Sequence, residues 1–266
     1  MKNKKPRVLF MSHGGGPLPL LGDEGHREMV ETLKRIAGQI EKPSAILLIS
    51  AHWEEKIPAI TSGANPSLIY DYYGFPEESY GIEYPCPGEP LLADQVHSLL
   101  VRAGIKANTD GQRGFDHGLF VPLKIMYPEA DIPCIQLSLI QGLSPTRHIK
   151  MGRALAGIDH DNLLIIGSGF SFHNLKAFFA PDTEETRAMN QAFDQWLIHT
   201  CSDTDLDEEE RTQRLENWQE APFAGYCHPR EEHLMPLHVC YGAAQRACSR
   251  YFALKIMKKQ ASLYLW

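Results

Sequence analysis

The chain has 266 residues, 43% of them hydrophobic and 22% charged, which is the composition of a globular protein able to bury a full core as one domain over residues 1–266. A formal net charge of −7 argues against nucleic acid or an anionic membrane as the main partner. No apolar stretch approaches the roughly 20 residues that span a bilayer, and the apolar run after the basic start breaks at His13 and its glycines, so it reads as a first strand of a cytoplasmic protein and not as a signal peptide.

In chain order, strand Arg7–Ser12 leads through a Gly/Pro loop to a helix near Gly25–Ile40. Strand Ala45–Ser50 follows and ends at His52. The stretch Ile60–Pro90 holds Tyr70, Tyr72, Tyr73, Phe75, Tyr80 and Tyr84 among many Gly and Pro residues, as in a flap packed by its own aromatics or a lid over a ligand. Helix Glu89–Ala103 is amphipathic, and loop Asp110–Gly118 opens a helix that runs to Tyr127. Strand Pro133–Leu139, helix Pro145–Gly157 and strand Leu163–Gly167 continue the alternation. The acidic segment Pro181–Glu220 reads as helical with a solvated face, helix Leu234–Ser249 follows, and Tyr251–Met257 is the last expected strand. The alternation predicts an α/β fold with a central mixed, largely parallel sheet flanked by helices. The six cysteines are scattered without a C-x-x-C pair, so they read as packed thiols.

The histidines carry the chemistry. His13, His52 and His173 each follow an apolar strand, and in an open α/β sheet the carboxyl ends of the strands share one edge, where ligands bind. Residues far apart in sequence can therefore meet at one metal ion. His13 precedes three glycines, but no G-x-S-x-G elbow accompanies them as an esterase would need, and neither G-x-G-x-x-G nor a Walker lysine supports a phosphate loop. Glu54 and Glu55 stand close enough in sequence to orient His52. His173, beside Asn174, suits a ligand or a general base. His228, His233 and His238 are spaced five apart, about 140° on a helix, so at most one points into a given site. His233, just before the apolar helix, is the best placed, and His238 reads as a helix-face residue. His117 lies in Gly114-Phe115-Asp116-His117-Gly118, either near substrate or in the first turn of a helix capped by Asp116. His26, His97, His148, His160 and His199 read as structural. Histidine ligands without thiolates suit Zn, Fe, Cu or Ni.

The blocks SHGGGP, ISAHW, YYGFPEESYGIEYPCPGEP, RGFDHGLFVPLKIMYPEADIPCIQLSL, IGSGFSFHNL and HPREEHLMPLHVCYGAA run in order along most of the chain. In these blocks the sequence resembles the DODA-type (4,5-DOPA) extradiol aromatic ring-opening dioxygenases of the protocatechuate 4,5-dioxygenase superfamily. The resemblance implies His13, His52 and His233 as metal ligands, His173 as catalytic base or a further metal contact, and His117 near the substrate oxygens. Other branches of the superfamily place a carboxylate third in the ligand set, which here would be Glu231 or Glu232. It also implies Fe(II) for activity, with Zn(II) as an alternative bound metal, and a small aromatic diol plus O2 as reactants, with self-association left open. A metal-binding protein without oxygenase activity and a zinc-dependent hydrolase are the alternative functions on the same fold.

Overall fold

Runs of Ile, Leu and Val with almost no polarity form the strands at the middle of the sheet, where both faces are covered. The computed structural model describes residues 6–266. β1 (Arg7–Ser12), β2 (Ala45–Glu55), β7 (Cys134–Ile140) and β8 (Leu163–Gly169) run parallel, and an eight-stranded sheet has the order β5-β3-β7-β2-β8-β1-β10-β9. On one flank, β3 (Ala59–Thr61) pairs antiparallel with β7 and parallel with β5 (Asn108–Asp110). On the other, β10 (Lys259–Leu265) pairs antiparallel with β1 and with β9 (Arg250–Ile256). The expected mixed, largely parallel α/β sheet is present.

Helices cover both faces. α3 (His117–Met126) packs against β2 and β8 and against α1 (Arg27–Gln39). α9 (Met235–Ala244) packs against β8 and β1 and against α4 (Pro145–Leu155). A side chain at Gly118 of α3 would meet Ser168, whereas one at Gly167 would meet Cys240 and Pro236 of α9. Neighbouring strand residues point to opposite faces, so α3 and α9 lie on opposite sides of the sheet. α2 (Pro90–Arg102) joins the α4 layer, and α6 (Glu184–Ser202) packs on β10. The acidic run lies mainly on the solvated side of α7 (Glu208–Glu216), as its charge density implies, although Arg211 is buried there. Among the described residues, no helix is long and apolar enough to cross a membrane.

Several elements differ from the sequence expectation, among them the short strands β3 and β5, which were not expected. β2 does not stop at Ser50 but continues to Glu55, and His52 lies inside it. The expected helix to Ser249 ends at Ala244, because Gln245 adopts a left-handed φ of 52°. β10 was not expected at all. It is joined to β9 by Met257 and Lys258, at φ 49° and 70°, a hairpin turn built without the Asn or Gly that marks such turns in sequence.

Candidate metal centre

Neighbouring parallel strands deliver the cluster to one edge of the sheet. His13 follows β1, its amide donating to the Gly169 carbonyl at the end of β8 (3.4 Å). The chain then turns at Gly14, whose φ is +83° and where a Cβ would stand 2.5 Å from Pro19. His26 braces this loop: its Nε2 accepts from the Gly15 amide at 3.0 Å and its Nδ1 bonds Asp23 at 2.7 Å, in keeping with a structural role.

His52 is turned out by an irregularity in β2. Ile49 pairs with Leu137 and Glu54 with Leu139, so five steps of β2 match two of β7, and the excess residues bulge from the ladder. His233 is held in the turn before α9, where its carbonyl accepts from the Phe170 amide at 2.9 Å. Gly169 permits this close approach, since a Cβ there would stand 2.1 Å from that carbonyl oxygen.

The three imidazoles meet with ring centroids 4.7 Å (His13–His52), 5.2 Å (His13–His233) and 5.0 Å (His52–His233) apart. Each offers a nitrogen within 4.8 Å of the others. Burial, reinforced by the neighbouring imidazoles, holds His13 and His233 well below the ordinary histidine range. Burial and the nearby His117 lower His52 to about 3. All three are therefore neutral at neutral pH, with a lone pair to give.

For His13 and His233, hydrogen bonds select which nitrogen carries that lone pair. Ser168 donates its one hydroxyl proton to the Gly118 carbonyl (2.5 Å), so toward His13 Nδ1 (3.1 Å) it acts as acceptor. His233 Nδ1 donates to Glu232 Oε1 at 2.8 Å, and His52 Nδ1 faces Asp71 Oδ2 at 3.6 Å. His13 and His233 thus engage Nδ1 in hydrogen bonds and leave Nε2 free, while His52 turns its Nδ1 toward Asp71 and its Nε2 toward His13. Metal–nitrogen bonds of about 2.0–2.1 Å put adjacent ligand atoms about 2.9–3.4 Å apart, and the Nε2 atoms of His13 and His52 are separated by 3.0 Å. The donor set fits a divalent cation of the zinc or iron type.

Two further histidines border this group. His173 stacks on His233, with centroids 3.4 Å apart and planes at 20°, and its Nδ1 lies 3.2 Å from the same Glu232 oxygen. It groups with Glu232 and His233, not with the three converging imidazoles. Asn174 beside it caps α5 (Leu175–Phe179) by accepting from the Ala177 amide. Glu232 faces the Nδ1 atoms of His173 and His233, and Arg230 reaches both Glu232 (3.3 Å) and Glu54 (2.6 Å). Glu231 shapes the turn through its carbonyl, which accepts from the Leu234 amide.

His117 is the first residue of α3, and Asp116 precedes it without capping the helix. The Asp116 carboxylate instead accepts from Ser50 (2.8 Å) and Gln136 in a buried polar layer beneath the site. The partner of His117 is Asp71, which the sequence reading did not single out; its only outward sign was a lone acid between Tyr70 and Tyr72. Neither Glu54 nor Glu55 orients His52: Glu54 pairs with Arg230 and Glu55 accepts from Trp53. Burial works to raise Asp71, but hydrogen bonding and charge from His117 and His52 bring it down to about 2. Glu232 is likewise lowered against burial, chiefly by its hydrogen bond with His173.

The aromatic stretch packs on itself and also borders the cluster. Tyr72 and Tyr70 donate to the carbonyls of Ser79 and Ile82, which ties the segment to itself. The same segment edges the site, with the Tyr72 ring 5.6 Å from His117 and Phe75 against Gly16. Tyr84 is elsewhere, donating to the Tyr127 carbonyl. His228 and His238 are buried away from the cluster against backbone carbonyls of Ser171 and Leu215.

Comparison with known proteins agrees with this architecture. The family described as the catalytic LigB subunit of aromatic ring-opening dioxygenase matches residues 8–264. "Dioxygenase tasH" of Hapsidospora irregularis is 39% identical over 280 residues, covering 97% of this chain and 85% of that protein. "4,5-DOPA dioxygenase extradiol" of Beta vulgaris is 39% identical over 239 residues, covering 89% of this chain and 86% of that protein. The crystal structure of an uncharacterized protein from Escherichia coli K12 superimposes with a TM-score of 0.75 at 25% identity, over 98% of this chain and 99% of that one. A family match from the first strand to the last, joined to such identity with named dioxygenases, places this chain in the LigB family of aromatic ring-opening dioxygenases.

Proposed function

We propose that this protein is a metal-dependent extradiol dioxygenase that opens the ring of a small catechol-type substrate with O2. In this reading His13, His52 and His233 hold the ion, and His173 and His117 handle protons and substrate oxygens. The observation that carries it is the convergence of three neutral imidazoles, His13 and His233 buried and His52 half-buried, each with Nδ1 facing an acceptor. The names of the relatives support the reaction class, and that of the Beta vulgaris protein points to DOPA-like catechols.

Iron(II) held by this set supplies the electron transfer between an aromatic diolate and O2 that a purely organic site lacks. The protein provides position and proton handling. Glu232 engages His173 Nδ1, which leaves Nε2 as the acceptor for a proton from a substrate hydroxyl. His117, engaged by Asp71 at Nδ1, likewise presents Nε2 to oxygen atoms. His13 and His233 are almost fully buried, which keeps bulk water away from their side of the site. Both atoms of O2 enter the ring-opened semialdehyde, so the reaction needs no external reductant. Zinc in a purified sample would reflect availability and the general affinity order of divalent metals.

The test is oxygen consumption by metal-stripped protein reloaded with Fe(II) or Zn(II), against a catechol panel that includes DOPA. The expected result is catechol-dependent uptake with Fe(II) only, a yellow ring-opened product, and loss of both metal binding and uptake in His52→Ala. Absence of uptake across the panel with Fe(II) bound overturns the reading, in favour of a hydrolase if zinc alone supports ester or amide cleavage and otherwise of a binding protein.

A further inference from the structure

Beside the large sheet, β4 (Leu68–Ile69) and β6 (Phe115–Asp116) form a two-stranded parallel pair, with Leu68 opposite Phe115 and Ile69 opposite Asp116. The pairing sends both chains onward side by side, so Asp71 reaches His117 across 46 residues of sequence. Gly114 makes the approach possible, because a Cβ there would stand 2.3 Å from the Ser67 carbonyl oxygen. One oxygen of Asp71, Oδ1, accepts from both the His117 amide (2.9 Å) and His117 Nδ1 (2.8 Å). The other, Oδ2, faces His52 Nδ1 at 3.6 Å. A single carboxylate from the aromatic segment thus engages two histidines that come from different parts of the chain.

A neutral imidazole has one N–H, and a carboxylate can only accept. We propose that Asp71 is a positioning residue that fixes His117 in its Nδ1–H tautomer and steadies His52, keeping Nε2 of His117 free as an acceptor at the substrate oxygens. The consequence for rate rests on the ring-cleavage reading above; the effect on the histidine does not. The competing role for the same trio is metal ligation, since His52, Asp71 and His117 also offer atoms within 4.8 Å of one another. Against it, Oδ1 already accepts two N–H groups of His117, from its amide and its Nδ1.

The experiment uses zinc-loaded full-length protein labelled with 15N at histidine, read by two-bond 1H–15N correlation, with Asp71→Ala and Asp71→Asn as variants. Wild type is expected to show His117 protonated at Nδ1 and bare at Nε2, with one zinc per chain. Asp71→Ala should mix the tautomers while retaining that zinc. Asp71→Asn, whose amide oxygen can still accept from the His117 amide and Nδ1, should largely preserve the tautomer. In the Fe(II) form, Asp71→Ala should lower kcat about 10–100-fold, the usual scale for partners behind a functional histidine. Asp71→Asn should lose less, and combining Asp71→Ala with His117→Gln should cost less than the product of the two. An Nε2–H tautomer in wild type, a tautomer and kcat unchanged in Asp71→Ala, or a second zinc that disappears with Asp71 each overturns the proposal. If wild type cleaves no catechol, the functional reading fails while the spectra still decide the role of Asp71.

Discussion

Ser168 illustrates how much of the site is set by single atoms. Its proton goes to the Gly118 carbonyl, which obliges it to accept from His13 Nδ1 and so exposes His13 Nε2. Ser168→Ala removes that acceptor without changing the buried volume much. We expect metal affinity to fall about 10–100-fold, measured by competition with a chromogenic chelator; unchanged affinity would mean that the tautomer of His13 is set elsewhere. The converging histidines were legible in sequence because each stands beside an apolar run or at its end. Ser168 was not, since a serine inside the strand LLIIGSG reads as an ordinary buried residue. Asp71 was hidden for a different reason: its partner is supplied by strand pairing between distant segments, which no local pattern announces.

Among the elements, the turn before α9 is positioned by contact with β8 more than by its own residues. Gly169 is the contact point, and Gly169→Ala would force the His233 carbonyl to move. The expected outcome is a loss of about 1–3 kcal/mol in urea unfolding of the metal-stripped protein, accompanied by weaker metal binding. Gly38→Ala in α1 is the matched control: nothing lies within 4 Å of its would-be Cβ, so the change should leave binding untouched and stability equal or slightly higher. A Gly169→Ala protein as stable and as tight in metal binding as wild type would show that the turn relaxes freely. The bulge in β2 makes the same point about legibility. Hydrophobicity located the strand, but the register shift that turns His52 outward depends on its pairing with β7.

At the scale of the whole molecule, buried neutral histidines tie folding to pH. Burial lowers His228 to about 3, and His148 and His238 to about 4, from an ordinary 6.5, and it also depresses the three converging imidazoles. Between 6.5 and those lowered values the unfolded chain takes up protons that the folded chain refuses. Stability therefore falls as pH drops through that window, by at most about 1.4 kcal/mol per pH unit for each such group. Asp71 and Glu232, both lowered, add to the loss further into acid, while Asp116 and Asp194, raised by burial, oppose it. The histidines outnumber these opposing carboxylates. Metal-stripped protein should thus unfold at markedly lower urea concentration at pH 5 than at pH 7, and equal midpoints would contradict the neutral state of this buried set.

The sequence by itself determined the α/β alternation, the strand ends as the place of chemistry, and the histidines worth following, because hydrophobic period and strand termini are local properties. Tertiary structure alone decided which of those histidines converge, which nitrogen each presents, and that His173 stacks on His233 instead of joining the three. It also decided that Asp71, Ser168 and Glu232 are their partners. Those outcomes depend on strand order, on register between segments far apart in the chain, and on glycines whose missing side chains let backbones meet.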